Sequence, residues 1–301
     1  MRYTLFFKNI KKIVMDGTIG DIMSVLHVEG VGNVHQSHSY VRGNWHSEAE
    51  TTPMLLAKSC HDLDIIQWIV DKPCKKVSSF GSLTYFTQQN APEGAPVRCI
   101  DGGCPIEGTC PYNCKKLYYD DKDNAWFRKA ATRGISKEYL PTDEEVMTAL
   151  KTTDFGLCVF HANNDVVDHQ VVNLEFEGGI TASFTMNAFN KGGRYIRLFG
   201  TKGELYANMS DTEITVYTFE DKQYHTVEVA KTEESILGGH GGGDQGIISE
   251  LHEYLSGSYT GYCAANIQGS VENHMIGFAA EKARHNGTVE DVQAYAASYG
   301  I

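Results

Sequence analysis

VVNLEFEGGITASFTMNAF, residues 171–189, places apolar side chains at alternate positions on both sides of Glu177-Gly178-Gly179. Alternation with a period of two is typical of half-buried β-strands, and a short glycine-containing connection between two such runs predicts a hairpin. Further alternating segments follow at 194–200, 203–209, 213–219 and 224–230. Residues 158–230 therefore predict a long antiparallel meander that forms the frame of the protein.

Helical periodicity precedes and follows this meander. Apolar residues recur at helical spacing over 3–16, 53–70 and 269–286, and again within GIISELHEYL at 246–255. Shorter helices are expected at 124–132 and 142–150, and strands at 22–31, 75–87 and 165–170. The segment 33–52, between the first strand and the helix at 53–70, is expected to be a polar loop. The fold class is α+β, a large, mostly antiparallel open sheet with helices on one face and the other face left for a partner.

Composition and charge exclude several classes of function. The chain has 301 residues, 42% hydrophobic and 21% charged, with a net charge of -12. An acidic chain lacks the clustered basic residues that neutralise a phosphate backbone, so we expect no nucleic-acid partner. No apolar run approaches the ~18 residues that a membrane span requires, so we expect no membrane association and a cytoplasmic location.

Four cysteines cluster in an excursion at 88–123 that is rich in glycine and proline and has no clear period. Cys99, Cys104, Cys110 and Cys114 have the spacing C-x4-C-x5-C-x3-C. Four thiolates in a loop-rich segment can hold a tetrahedral zinc ion that replaces missing hydrophobic burial. Because paired C-x2-C knuckles are absent, reduced thiols or disulfides remain alternatives to this structural zinc.

A second polar motif lies on the helix predicted at 53–70, in KSCHDLDIIQW (residues 58–68). Lys58 and His61 are three residues apart, which would place both on one helix face. A neighbouring ammonium favours a neutral imidazole that accepts a proton near neutral pH, as a general base requires. The alternative is that this is a solvent-exposed polar edge of the helix, or that the histidine is hydrogen-bonded to a carboxylate such as Asp64.

The segments RYTLFFKNIKKIVMDGTIGDI, PMLLAKSCHDLDIIQW and RLFGTKGEL together resemble the Gfo/Idh/MocA oxidoreductase family. In that family the pattern D-x-G-x-H-x-x-D, followed by Trp, opens a helix that faces the nicotinamide and the sugar. His61, Asp64 and Trp68 match this pattern, whereas Ala57 and Ser59 replace its first Asp and its Gly. The resemblance implies a dihydrodipicolinate-reductase-like C-terminal domain in which His61 accepts the proton, Lys58 orients the substrate and Asp64 contacts it.

The same resemblance implies a missing half. The family's N-terminal Rossmann domain has a glycine fingerprint and a Glu-Lys-Pro lysine, and neither is found. Residues 1–20 would be the last helix of that domain, and 21–301 the substrate-binding and oligomerisation domain. Gly241, Gly243 and Gly246 match G-x-G-x-x-G only formally, because no βαβ unit surrounds them. NAD or NADP would serve the complete enzyme, without binding this chain alone, and a separately encoded Rossmann half is a possible partner.

Several other polar residues are candidates for the pocket. His240 and Asp244 flank the glycine-rich loop before a helix, and Asp168 lies on the predicted strand at 165–170, so all three are candidate substrate contacts. Arg42 and Trp45 resemble the family's Trp-Arg segment and are candidate cofactor contacts. Each of these residues could instead be an ordinary surface or loop residue.

The expected function is oxidation or reduction at the CH–OH group of a sugar, polyol or sugar derivative, by a chain that is inactive alone. The expected assembly is a homo-oligomer formed through the sheet. Two alternatives remain open: a non-catalytic module for sugar binding or oligomerisation, and an NAD-dependent glycosidase of the same family.

Overall fold

The fold is that of a computed structural model, which describes residues 1–138, 140–229 and 239–301, without the side chain of His240. Its described strands form one sheet. They are β1 (Ile22–Gly30), β2 (Cys74–Ser82), β3 (His169–Phe176), β4 (Thr181–Asn187), β5 (Gly193–Gly200), β6 (Gly203–Asn208), β7 (Glu213–Thr218), β8 (Tyr224–Glu228) and β9 (Val289–Asp291).

The described helices differ widely in length. They are α1 (Leu5–Met15), α2 (Asn33–Gln36), α3 (Met54–Ala57), α4 (Cys60–Val70), α5 (Ala125–Ala131), α6 (Asp143–Thr152), α7 (Gly243–Ser256), α8 (Ile267–Asn286) and α9 (Val292–Ala297). Good caps explain several boundaries. The Thr142 side chain and Glu145 form a reciprocal capping box at α6, and Asn266 accepts a hydrogen bond from Gly269 N at the start of α8.

The sheet confirms the predicted α+β class and corrects its connectivity. The strand order is β8-β7-β6-β5-β1-β4-β3-β2-β9. The hairpin about Glu177–Gly179 joins β3 to β4 as predicted, but β4 and β5 are not neighbours. Instead β1 lies between them, parallel to β4 and antiparallel to β5, so the meander is interrupted by an earlier strand.

Helices α1, α4 and α8 cover one face of this sheet with a common apolar core. Phe7 and Ile10 of α1, Ile65 and Ile66 of α4 and Ala280 of α8 are fully buried. Gly277 lets α8 approach α3 closely, because a Cβ at that position would overlap the side chain of Leu56. On the other face, Leu26, Tyr195 and Tyr206 are between 37% and 43% exposed.

Two predictions about the segment between β1 and β2 are wrong. The expected polar loop is partly helical, with α2 followed by a π-helical turn at Ser37–Val41 whose Tyr40 and Val41 are buried. The expected continuous helix over 53–70 is interrupted at Lys58 and Ser59, between α3 and α4. Met54, Leu55 and Leu56 are buried in the turn of helix just before this break.

The excursion at 88–123 has little regular structure, as predicted. It contains single 3-10 turns at Gln88–Asn90 and Cys99–Asp101 and a π-helical turn at Lys115–Asp120. Two small apolar clusters, separate from the main core, lie beneath it. Within the described part of the chain, none of the helices combines the length and apolar character needed to cross a membrane.

Candidate functional site

A buried carboxylate fixes the first turn of α4 to the centre of the sheet. Asp62 is 1% exposed, and its Oδ1 lies 2.8 Å from Nε2 of His27 on β1. The same oxygen accepts a hydrogen bond of 2.8 Å from Nε of Arg194 on β5. Because strand side chains alternate, His27 and Glu29 both point from β1 toward the helix-covered face.

Glu29 links this carboxylate to Lys58. Glu29 and Arg194 are direct neighbours in the register of β1 and β5, and Glu29 Oε2 lies 2.7 Å from Arg194 Nε. On its other side, Glu29 Oε1 lies 3.2 Å from Nζ of Lys58 in the break between α3 and α4. Asp62, Arg194, Glu29 and Lys58 therefore form one chain of alternating charges, which we call the buried ion network.

The electrostatics of the network separate its two carboxylates. Burial and the charge of Asp62 raise the pKa of Glu29 to about 7, against the opposing effect of Arg194 and Lys58. The pKa of Asp62 is lowered although burial opposes this, because Arg194 and His27 together stabilise its charge. Burial, and then the charge of Lys58, lower the pKa of His35 to about 4. The site therefore holds a charged Asp62 and a neutral His35 at neutral pH.

Replacing Glu29 by glutamine is expected to change the pH dependence of folding. The folded-state pKa of Glu29 is raised from 4.5 to about 7, so the folded wild type binds more protons than the unfolded chain between those values. The free energy of unfolding of the wild type therefore falls as pH rises through this window. In Glu29→Gln the side chain at this position does not titrate, so it contributes no such loss. Urea unfolding at several pH values should show the variant gaining about 3 kcal/mol relative to wild type as the pH rises from below 4.5 to above 7. A pH-independent difference would contradict the raised pKa.

The two proposed catalytic residues lie on either side of the start of α4. His61 is an exposed residue in the first turn of α4, next to the buried Asp62. Lys58 precedes that helix and pairs with Glu29. The prediction that both lie on one continuous helix face is wrong because the helix breaks at Lys58 and Ser59.

Asp64, predicted to contact substrate, is engaged within the protein. Its two oxygens accept hydrogen bonds of 2.7 and 2.6 Å from Arg2, and Oδ1 also accepts one of 3.2 Å from Asn273. The Arg2 guanidinium lies 5.5 Å from the centre of the Trp68 ring. This motif residue therefore ties α4 to the N-terminal segment and to α8.

Asp168, another expected substrate contact, is fully buried just before β3. Its carboxylate accepts hydrogen bonds of 3.0 Å from Thr84 N and 2.7 Å from Tyr85 N, and Oδ1 lies 2.7 Å from Nδ1 of His169. The strand predicted at 165–170 begins only at His169. Asp168 therefore fixes the turn that follows β2, and its role as a substrate contact stays a prediction.

Arg42, an expected cofactor contact, is also buried. It is 3% exposed and donates hydrogen bonds to the carbonyl oxygens of Leu157 and Tyr112, so Nε and Nη2 are used within the protein, and its role as a cofactor contact stays a prediction. Trp45 is 43% exposed. Asp244 is an exposed residue in the first turn of α7, and the side chain of His240 lies outside the described residues.

Sequence reasoning missed His27, Glu29, Asp62 and Arg194, which hold α4 in place. A signal was available for two of them. His27 and Glu29 follow the buried Val25 at steps of two along β1, so all three side chains point to the same, inward face. A charged residue in an inward position needs a partner. Nothing in the sequence alone identified Arg194 as that partner, because the pairing of β1 with β5 is non-local.

A protein-family comparison matches residues 11–290 to the oxidoreductase family's C-terminal alpha/beta domain of the Gfo/Idh/MocA type. The chain belongs to this family. The family resemblance carried by the segments around His61 and Trp68 is thereby confirmed, as is the assignment to the C-terminal domain.

Relatives of this family differ from the chain in length. It is 28% identical over 266 residues to "Putative oxidoreductase YteT" of Bacillus subtilis (strain 168), a match that covers 83% of the chain and 58% of the relative. It matches an Agrobacterium radiobacter oxidoreductase, solved with NAD+, L-tartaric acid and magnesium, with a TM-score of 0.57 at 11% identity. That match covers 98% of the chain and 64% of the solved one. It also matches an NAD binding oxidoreductase of Klebsiella pneumoniae with a TM-score of 0.58 at 14% identity. That match covers 96% of the chain and 64% of the solved one.

Among the described residues of this Gfo/Idh/MocA chain, the glycine-rich segment at 241–246 lacks the βαβ surroundings of a dinucleotide fingerprint. Gly241 precedes α7, whereas Gly243 and Gly246 lie in its first turn, and α7 is followed by α8 instead of by a parallel strand. The one parallel pair among the described strands, β1 and β4, is not joined by a single crossover helix. A phosphate-binding βα turn needs both features, so the formal fingerprint has the wrong context.

Proposed function

We propose that this chain is the substrate-binding and catalytic half of an NAD(P)-dependent oxidoreductase that acts on the CH–OH group of a sugar, polyol or sugar derivative. In this proposal the dinucleotide is held by a Rossmann domain outside these 301 residues. The observation that carries it is the position of His61, which is exposed on a helix turn whose neighbouring residue is locked into the sheet.

The buried ion network supports a precise position for His61. Hydrogen bonds from His27 and Arg194 hold Asp62 against β1 and β5 and so fix the first turn of α4. A helix turn fixed in this way presents the next side chain in a defined direction, which a general base requires. His61 would accept the hydroxyl proton of the substrate, while a bound nicotinamide supplies the hydride acceptor.

Lys58 would orient the same substrate hydroxyl. Its side chain is 18% exposed and its Nζ lies 3.2 Å from Oε1 of Glu29, so the protein holds the ammonium while part of the side chain reaches solvent. An ammonium donates several hydrogen bonds and can bind a hydroxyl oxygen without giving up its carboxylate partner.

Among the other polar candidates, Asp244 remains proposed as a substrate contact because it is exposed at the start of α7.

The experiment that tests this division of labour is a calorimetric titration of the isolated chain with NADH and NADPH. No micromolar binding is expected, because the described residues contain no phosphate-binding βα turn. A complete protein with its dinucleotide-binding domain, titrated in parallel, is expected to bind one of the two. Micromolar binding by the isolated chain would show that the cofactor is held here after all.

We also propose that two copies associate through the open face of the sheet. Leu26, Tyr195 and Tyr206 lie on the adjacent strands β1, β5 and β6 of that face and leave apolar surface exposed. Sedimentation velocity should show a dimer or tetramer that Leu26→Asp dissociates. A wild-type chain that sediments as a monomer at high concentration would exclude this interface.

A further inference from the structure

Two of the four cysteines in the excursion at 88–123 are in direct contact. The thiol of Cys114 donates a hydrogen bond to the sulfur of Cys99. The backbone N–H of Cys114 donates a second hydrogen bond, 3.4 Å long, to the same sulfur. All eight cysteines of the chain are unbridged. The two side chains therefore face each other in the reduced state, although they are 15 residues apart in the sequence.

Both cysteines lie on anchored segments of backbone. The 3-10 turn Cys99–Asp101 follows Arg98, whose guanidinium donates hydrogen bonds of 2.7 Å to the carbonyl of Leu150 and 2.6 Å to that of Thr153. Cys114 is fully buried in one of the apolar clusters beneath the excursion. The contact between the two sulfur atoms therefore exists without any movement of the excursion.

The surroundings divide the charge unequally between the two sulfur atoms. The hydrogen bond from the Cys114 thiol, together with its backbone N–H and the charge of Arg42, lowers the pKa of Cys99 against the opposing effect of burial. The same hydrogen bond, together with burial, raises the pKa of Cys114. The buried Arg42 lines the same small cavity as Cys99. Cys99 is thus the sulfur that carries the negative charge, and Cys114 is the thiol beside it.

The other thiols around this cavity are less suited to react. Cys104, Cys110 and Cys158 also line it. Burial raises the pKa of both Cys110 and Cys158, which keeps them as thiols. Among the described residues, no three cysteine sulfur atoms lie within 4.8 Å of one another, so the structural zinc site stays a prediction. Cys99 with Cys114 is the pair that the structure has already brought together.

We propose that Cys99 and Cys114 are a redox-active pair that forms a disulfide by exchange with a low-molecular-weight disulfide. Cys99 is partly exposed, whereas Cys114 is fully buried, so the reagent reaches Cys99 first. A reactive, accessible cysteine beside a second thiol that can displace the adduct is the arrangement found in redox-sensitive sites.

The exchange has two steps. The Cys99 thiolate attacks one sulfur of the reagent, forms a mixed disulfide and releases one reagent thiolate. The Cys114 thiol passes its proton to that thiolate, and its sulfur attacks the sulfur of Cys99, which releases the second half of the reagent as a thiolate. Two protein sulfurs are oxidised to one disulfide, and the reagent disulfide is reduced to two thiols.

The first test maps the disulfide in the reduced wild-type chain after incubation with excess glutathione disulfide, with and without a metal chelator. The remaining thiols are blocked with N-ethylmaleimide in denaturant, and the chain is digested with Asp-N and chymotrypsin without reduction. Cleavage before Asp101 and after Tyr112 separates Cys99 and Cys114 from the two cysteines between them.

We expect one linked pair of peptides that contains Cys99 and Cys114, and the loss of two of the eight free thiols, in both samples. Dithiothreitol should restore both thiols. A bond from Cys99 to Cys104, Cys110 or Cys158, or an unchanged number of thiols, would overturn the proposal. A disulfide that forms only after addition of the chelator would show that a metal holds these sulfurs, and would also overturn it.

The second test traps the intermediate. In Cys114→Ser the mixed disulfide has no neighbouring thiol to displace it, so about one glutathione per chain should accumulate on Cys99. Wild type and the matched control Cys104→Ser should hold at least about tenfold less. Equal glutathione content in all three proteins, or an adduct on Cys104 or Cys110 instead of Cys99, would overturn the order of attack. The mapping of wild type decides the pairing even if Cys114→Ser does not fold.

Discussion

Replacing His61 by alanine in the complete protein is expected to lower kcat by about 10²- to 10⁴-fold and to change KM little. The physical reason is that a general base acts on the proton in the transition state and contributes less to binding of the ground state. Steady-state kinetics of the sugar-dependent reduction of NAD+ or NADP+ would measure both constants.

A matched control for this variant is His225→Ala. His225 lies on the edge strand β8, where it pairs with Asp221, and so it is far in the sheet order from β1 and α4. We expect its kinetic constants to stay close to those of wild type. If His61→Ala turned over as fast as His225→Ala, His61 would have no part in proton transfer.

Replacing Asp62 by alanine is expected to destabilise the chain by about 3–5 kcal/mol. The carboxylate is fully buried and receives His27 and Arg194, so its removal leaves the buried His27 Nε2 without this partner and deprives Arg194 of one of its two carboxylates. It also places Glu29 alone between Arg194 and Lys58. Chemical denaturation of the isolated chain would measure this change without any need for cofactor or substrate.

Asp16→Asn provides the control for an exposed pair. Asp16 pairs with Lys12, and both side chains are more than half exposed. Such pairs contribute about 0–1 kcal/mol, so this variant should unfold close to wild type. Equal losses in Asp62→Ala and Asp16→Asn would show that the buried ion network does not hold α4 in place.

Local periodicity was enough to predict most elements of the fold. The first helix, the first strand, the hairpin about Glu177–Gly179 and the last long helix follow from alternation and helical spacing, and the structure confirms them. The insertion of β1 between β4 and β5 could not be predicted in the same way. It depends on which strands pair across a separation of more than 150 residues, and alternation does not contain that information.

The candidate site was less predictable for a related reason. Spacing identified the His61 motif, but it assumed a continuous helix, and that helix is interrupted at Lys58 and Ser59, directly after the buried Met54–Leu56. Asp64 and Asp168 are polar residues of the kind that line pockets, yet both carboxylates are used within the fold. Which polar residues face a pocket is decided by tertiary partners such as Arg2 and Arg194.

The most direct test of the central claim is the activity of the complete protein on a panel of aldoses, linear polyols and cyclic polyols with NAD+ and NADP+. We expect absorbance of the reduced nicotinamide to rise with at least one member of the panel. We expect no signal from the isolated 301-residue chain. Turnover by the isolated chain, or a complete protein that binds the dinucleotide but oxidises none of these CH–OH compounds, would contradict the proposal.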